Sequence, residues 1–229
     1  MVRVKICGIT CVEDALAAEA AGAEAIGLNF VSGPRQIAPP AAAAILRSLP
    51  AMVTPVALVR LQGGAVPDEL LELLGQFWVS HIQIYGDFEP QNLDILRRDG
   101  FRPIPVVSVR DGGFADRSAA WWAKGGEPSA AAVVLDAYDP GRDGGTGSRF
   151  RWEWVSAARQ AGRLEGWPPI ILAGGLRPEN VAEAIRVARP YAVDVSSGVE
   201  VEAAPGRKDP SRMRAFVRAV RAAFAQFQA

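Results

Sequence analysis

Residues 169–198 read Pro169-Ile170-Ile171-Leu172-Ala173-Gly174-Gly175-Leu176-Arg177-Pro178-Glu179-Asn180-Val181-Ala182-Glu183-Ala184-Ile185-Arg186-Val187-Ala188-Arg189-Pro190-Tyr191-Ala192-Val193-Asp194-Val195-Ser196-Ser197-Gly198. Two short apolar runs, 169–173 and 191–195, flank an Ala/Glu/Arg-rich segment over 178–188 with the pattern of an amphipathic helix. Neither run alternates apolar with polar, as expected of parallel strands covered on both faces. The stretch is therefore a strand–helix–strand unit, with glycine or small residues after each strand.

The same beat recurs along the chain. Apolar runs lie at 2–7, 25–30, 53–59, 79–84, 103–109, 131–136, 169–173 and 191–195, spaced by roughly 20 to 40 residues, the length of one βα unit. Helices are expected over 12–21, 68–75, 90–100, 178–188 and 210–227. The first has Thr10 as its N-cap and Gly22 as its stop. The last carries Met213, Phe216, Val217, Val220 and Phe224 on one face. Eight units predict a closed (β/α)8 barrel, a single domain over 1–229, where an open doubly wound sheet would usually need fewer strands. Residues 112–126 and 161–167 read as expanded loops.

Composition narrows the chemistry. The 229 residues include 25 Lys+Arg, 25 Asp+Glu, one His and two Cys. Zero net charge argues against general nucleic-acid or anionic-membrane binding, and no apolar run approaches the roughly 20 residues that span a bilayer. The charged start, Met1-Val2-Arg3-Val4-Lys5, breaks any signal-peptide core, so a cytoplasmic location is expected. A single histidine excludes His-rich zinc sites and paired-imidazole mechanisms, and no metal is expected. Acid–base chemistry must lean on carboxylates, Cys, Lys or Tyr.

In such barrels the active site lies at the C-terminal strand ends. Strand one ends Lys5-Ile6-Cys7-Gly8, and strand two is followed by Pro34-Arg35. Strand six ends at Asp136 and runs into Gly144-Gly145-Thr146-Gly147. Strands seven and eight end in Gly174-Gly175 and in Asp194-Val195-Ser196-Ser197-Gly198. Small residues after strands seven and eight suit a phosphate site of backbone N–H groups, although each turn alone is also ordinary βα geometry. Cys7 and Asp136, expected to face each other across the mouth, are the candidate proton-transfer pair. Taken singly, Cys7 reads as a small buried hydrophobe and Asp136 as a cap. Arg35 is a candidate bidentate clamp for a carboxylate, or else a solvated loop charge. His81 sits early in its strand and reads as structural, Cys11 as packing, and Trp121, Trp122, Trp152 and Trp154 as packing anchors. The 144–147 run lacks the Lys-Ser/Thr ending of a P-loop.

Taken together, the sequence resembles the phosphoribosylanthranilate isomerases. The resemblance rests on Val4-Lys5-Ile6-Cys7-Gly8-Ile9-Thr10 with Glu13-Asp14-Ala15, on Pro34-Arg35, on Gly144–Gly147, and on Leu172–Leu176 with Pro178-Glu179-Asn180. Asp194–Glu200 and Pro205-Gly206-Arg207-Lys208-Asp209 complete it. It implies a cofactor-free Amadori rearrangement of a phosphorylated sugar–anthranilate substrate. Asp136 would be the general acid that opens the furanose, and Cys7 the base that removes the C2 proton. Arg35 would hold the anthranilate carboxylate, Asp194 a sugar hydroxyl, and Gly174, Gly175, Ser196, Ser197 and Gly198 the phosphate. The family pattern usually has His at Tyr85, Gly-Val-Phe and Asn around Val56–Arg60, and Lys and Asp at Ser148 and Arg151. These departures alter the pocket wall and leave Cys7, Asp136 and Arg35 untouched. They also motivate the rival reading, a non-catalytic paralogue that binds a phosphorylated ligand. Oligomeric state is open at this stage, since Ala-rich helices serve equally as solvent faces or a seam.

Overall fold

A computed structural model describes residues 1–86, 88–122, 130–137 and 149–225, with side chains described up to 119 in the second stretch. Eight parallel strands close into a barrel in sequence order. They are β1 (Arg3–Cys7), β2 (Ala25–Asn29), β3 (Thr54–Arg60), β4 (His81–Tyr85), β5 (Arg102–Val109), β6 (Val133–Ala137), β7 (Ile170–Leu172) and β8 (Ala192–Val195). The helices between them are α1 (Val12–Ala21), α2 (Pro39–Ser48), α3 (Asp68–Gln76), α4 (Pro90–Arg98), α5 (Phe114–Trp122), α6 (Glu153–Gln160), α7 (Val181–Ala188) and α8 (Pro210–Ala225). The (β/α)8 expectation holds, and no helix of the described residues is long and apolar enough to cross a membrane.

Strand parity separates two apolar layers. Val4, Ile6, Ile26, Leu28, Val133, Leu135, Val193 and Val195 point outward and pack under the helices. Their neighbours one residue away point into the barrel, where Cys7, Val56, Leu58, Ile104, Val134, Ile171 and Ala192 form the inner cluster. Successive side chains alternate faces, so Lys5 shares the inner face with Cys7, Gln83 with Tyr85, Asp136 with Val134, and Asp194 with Ala192. The inward row thus turns from apolar to polar toward the C-terminal strand ends.

Several local expectations are corrected. Residues 112–126, expected as a loop, contain α5, because Phe114 and Ala115 are fully buried apolar anchors between the glycines before and after them. Thr10 does not cap α1; the N-cap is Cys11 without a side-chain bond, and Thr10 Oγ1 instead donates to the Gly206 carbonyl at 2.7 Å. The fourth strand begins at His81 and not at Val79, which is buried just outside the ladder. α7 starts at Val181, three residues after Pro178, because Asn180 is engaged in the preceding turn. Met213, Phe216, Val217 and Val220 of α8 are buried as expected, whereas Phe224 is half-buried.

Candidate active site

The residues singled out from sequence converge on the C-terminal mouth of the barrel. Cys7 is the last residue of β1 and lies in register with Gly27 of β2. A methyl group on Gly27 would sit 2.7 Å from Cys7 Sγ and 3.1 Å from Lys5 Nζ. Glycine is therefore what gives the thiol and the ammonium room. Lys5 is buried and forms an ion pair with Asp194 Oδ2 at 2.9 Å across the β1–β8 ladder. Burial pulls the Lys5 pKa down, but Asp194 and the Cys7 thiol more than offset this and hold it above the ordinary lysine value. Burial holds the Cys7 pKa above the ordinary thiol value, opposed first by Lys5.

Asp136 follows the inward parity of β6 and is buried. Its Oδ1 accepts a 2.8 Å hydrogen bond from the Ala137 N–H. Burial raises its pKa to about 6 despite that bond, and the Asp194 charge adds to the rise. A carboxyl in this range holds its proton within reach of neutral pH and can act as an acid. Gly174, at φ 81°, packs directly against this group: a Cβ there would lie 3.1 Å from Asp136 Oδ1 and 2.8 Å from Ala137 N. The strand-seven loop is thus seated on the candidate acid.

That loop also meets the strand-eight loop. Gly198 packs on the Leu176 carbonyl so closely that no side chain fits. Asn180 ties the turn from within: its Nδ2 donates to the Gly175 carbonyl at 3.0 Å and its Oδ1 accepts from the Arg177 N–H at 2.9 Å. Gly174, Gly175, Ser196, Ser197 and Gly198 therefore belong to one contiguous surface, with Ser197–Val199 coiled into a 3-10 turn.

Arg35 is placed differently from a solvated loop charge. Its Nε and Nη2 donate to Glu200 Oε1 and Oε2 at 2.6 and 2.8 Å, a bidentate pair. Lys208, buried, donates from Nζ to Glu200 Oε1 at 3.0 Å and to the Ser196 carbonyl at 3.2 Å. The Lys208 backbone N–H is held by Asp14 Oδ2 at 2.9 Å. Burial pushes the Glu200 pKa up, but the Arg35 and Lys208 cations overcome it and bring it to about 2. Arg35 also lies across Gly8, where a Cβ would press on its side chain and on Ser196 Oγ.

Opposite, Tyr85 ends β4, and its hydroxyl accepts a 3.0 Å hydrogen bond from Gln83 Nε2. Burial raises the phenol pKa well above its ordinary value, helped by Asp136, Cys7 and Asp194. Among the described residues, Gln83 Oε1, Asp194 Oδ1 and Trp152 Nε1 are buried side-chain atoms without a hydrogen-bond partner. His81 lies at the far end of β4, half-buried, with its pKa lowered by burial and Arg102, in keeping with a structural role. Cys7 and Cys11 are both free. Trp152 is buried and Trp154 half-buried, as packing anchors are, while the side chains of Trp121 and Trp122, the 144–147 run and Ser148 lie outside the described residues. Arg151 is exposed on the rim.

Sequence reading of strand ends did not single out Lys5, Gln83, Glu200 or Lys208 as site residues. Inward parity from Cys7 and Tyr85 would have found the first two. Glu200 and Lys208 stand in loops, and only the fold brings them to Arg35.

The family model described as N-(5'phosphoribosyl)anthranilate (PRA) isomerase matches residues 4–219. The chain belongs to this family. An N-(5'-phosphoribosyl)anthranilate isomerase of Geobacter sulfurreducens is 42% identical over 95% of this chain and 98% of its own. One from Pseudomonas aeruginosa strain UCBPP-PA14 is 44% identical over 96% and 95%. Among solved structures, phosphoribosyl anthranilate isomerase from Thermotoga maritima superposes with a TM-score of 0.80 at 32% identity, over 97% of this chain and all of that one. Another, solved in complex with reduced 1-(o-carboxyphenylamino)-1-deoxyribulose 5-phosphate, gives 0.77 at 30% over the same 97% and 100%. The protein is accordingly an enzyme, an isomerase of tryptophan biosynthesis, and the reading as a non-catalytic paralogue gives way.

Proposed function

We propose that the protein converts N-(5′-phosphoribosyl)anthranilate to 1-(2-carboxyphenylamino)-1-deoxyribulose 5-phosphate, with Asp136 as general acid and Cys7 as general base. The observation that carries the assignment is the pairing of a buried carboxyl, raised to about 6, with a buried thiol beside an ammonium, both on the inner face of one barrel mouth. Asp136 gives its proton to the furanose ring oxygen, and the ring opens to a Schiff base as the C1–O bond breaks. The Cys7 thiolate then removes the C2 proton. The resulting enolamine gains a proton at C1 and loses one from O2 to give the ketone, so the product is an isomer of the substrate with the ring C1–O bond broken and a C2 carbonyl in place of the C2 alcohol.

Two anionic groups of the substrate need partners. The strand-seven and strand-eight loops, with Gly174, Gly175, Ser196, Ser197 and Gly198, offer backbone N–H groups and hydroxyls to the phosphate. Arg35 meets the anthranilate carboxylate. Glu200 orients it, and because Arg35 and Lys208 are two cations around that one carboxylate, positive potential remains for a second. Asp194, one oxygen on Lys5 and the other unpartnered, is available to a sugar hydroxyl. The ligand named for one solved relative carries both a carboxylate and a phosphate, which is in keeping with a mouth that must receive two anionic groups.

Turnover of freshly prepared N-(5′-phosphoribosyl)anthranilate tests the proposal. Asp136→Asn and Cys7→Ala are each expected to lose at least about 100-fold in kcat. Near wild-type kcat in both variants would refute the assigned roles.

A further inference from the structure

Lys5 and Cys7 stand two residues apart on β1 and therefore point to the same side of the strand, into the barrel. Three independent contacts fix where their polar ends meet. Asp194 grips the ammonium at 2.9 Å. Gly27 leaves a gap that both Cys7 Sγ and Lys5 Nζ border, at 2.7 and 3.1 Å from the position of its missing Cβ. In register, Gly27 faces Cys7 directly, and its carbonyl accepts the Gly8 and Ile9 N–H groups at 3.0 Å, which pins the end of β1. An ammonium and a thiol that border one such gap lie in the range where an opposite charge favours ionisation. A lysine serving the barrel alone would need only its carboxylate.

We infer that Lys5 is a positioning residue that favours ionisation of Cys7, with Asp194 as the counter-charge that shares the ammonium and tempers its effect. The inference rests on the reading of Cys7 as the base. When the thiolate takes the C2 proton it becomes neutral, and the Lys5–Asp194 pair stays balanced without it. When the proton leaves, Lys5 again faces an anion.

The charged and titratable groups around Cys7 act with opposite signs. Burial favours the neutral thiol most strongly; Lys5 on β1 opposes it, Asp194 on β8 reinforces it, and Lys208 in the β8–α8 loop opposes it less than Lys5 does. Arg35 and the neutral Tyr85 phenol also feel the thiolate.

Alkylation of Cys7 by iodoacetamide across pH, followed by mass spectrometry in a Cys11→Ser background, tests the inference without substrate. Lys5→Met is expected to move the midpoint up by at least about one pH unit, so the rate near neutral pH falls about tenfold. Lys208→Met should move it less. Asp194→Asn should move it down, because a repelling charge is gone and Lys5 is no longer shared. Both Lys5→Met and Asp194→Asn break the same ion pair, so simple loosening would shift them alike; opposite shifts require the electrostatic role. A midpoint unchanged in folded Lys5→Met overturns the inference, and should that variant not fold, an unchanged or upward midpoint in Asp194→Asn does so. Near wild-type kcat in Cys7→Ala would instead sink the base assignment and leave the alkylation result standing.

Discussion

Two neighbouring regions of the barrel mouth each bury a carboxylate and drive it in opposite directions. On the inner face of β6, Asp136 has one backbone N–H as donor among the described residues, with Asp194 nearby as a like charge and Lys5 as a weaker opposing one, and it rises to about 6. In the loop after β8, Glu200 receives Arg35, Lys208 and the Gly206 N–H, and it falls to about 2. Burial pushes both upward; the number of cations and donors decides the outcome. The first region holds a carboxyl that keeps its proton toward neutral pH. The second is a fixed anion that aims two cations.

The comparison predicts its own largest failure at Asp136. Beyond losing turnover, Asp136→Asn should be the more stable protein at pH 8. The folded pKa of about 6 lies above the unfolded value of about 4. The native state therefore binds the extra proton between those values, and stability falls as pH rises through that window, by at most about 3 kcal/mol. Urea melts of the two proteins at pH 4.5 and pH 8 measure it; a difference that does not grow with pH breaks the contrast. Glu200→Gln should act the other way, removing the anion that buried Lys208 and half-buried Arg35 share. A loss of about 3 kcal/mol in unfolding free energy is expected, with KM rising roughly tenfold as Arg35 loses its aim and kcat changing less. A KM effect without a stability loss would mean that the loop cluster is not built around Glu200.

Acid titration sharpens the same point at lower amplitude. Glu200 has a depressed folded pKa, so its contribution is present above about pH 4 and drains away as pH falls toward 2. Wild-type stability should show that loss and Glu200→Gln should not. The smallest effect serves as a control at the other end of the barrel. Trp78 is 91% exposed with φ 55°, a left-handed conformation that Asn tolerates better. Trp78→Asn should gain about 0.5–1 kcal/mol and leave kcat unchanged. If it also moved kcat, stability and chemistry would not be separable by region.

Much of this was legible in the chain because strand ends in a (β/α)8 barrel share one rim. Cys7, Asp136, Asp194 and the Gly174-Gly175 pair end or directly follow apolar runs, and each lands at the mouth. Roles that depend on packing between distant segments were not legible. Arg35 reads as a clamp in sequence, but Glu200 is 165 positions away and fixes both its geometry and its charge. Thr10 has the chemistry of a cap, yet tertiary contact with the 206 loop takes its hydroxyl. α5 hid between glycines because a helix anchored by Phe114 is decided by burial and not by local propensity. Lys5 lies two residues before the end of its strand, and only inward parity on β1 together with barrel closure puts it beside Asp194.

The Lys5–Asp194 contact joins residues 189 positions apart, and it lies on the seam where the first strand meets the last. Closing the barrel and pairing its buried lysine are thus one event. A growing chain carries Lys5 and Cys7 from the outset but has no Asp194 for Lys5 until β8 is made. A fragment supplying β8 with its loop and α8 to a chain lacking them would restore the pair and the rim cluster in a single step.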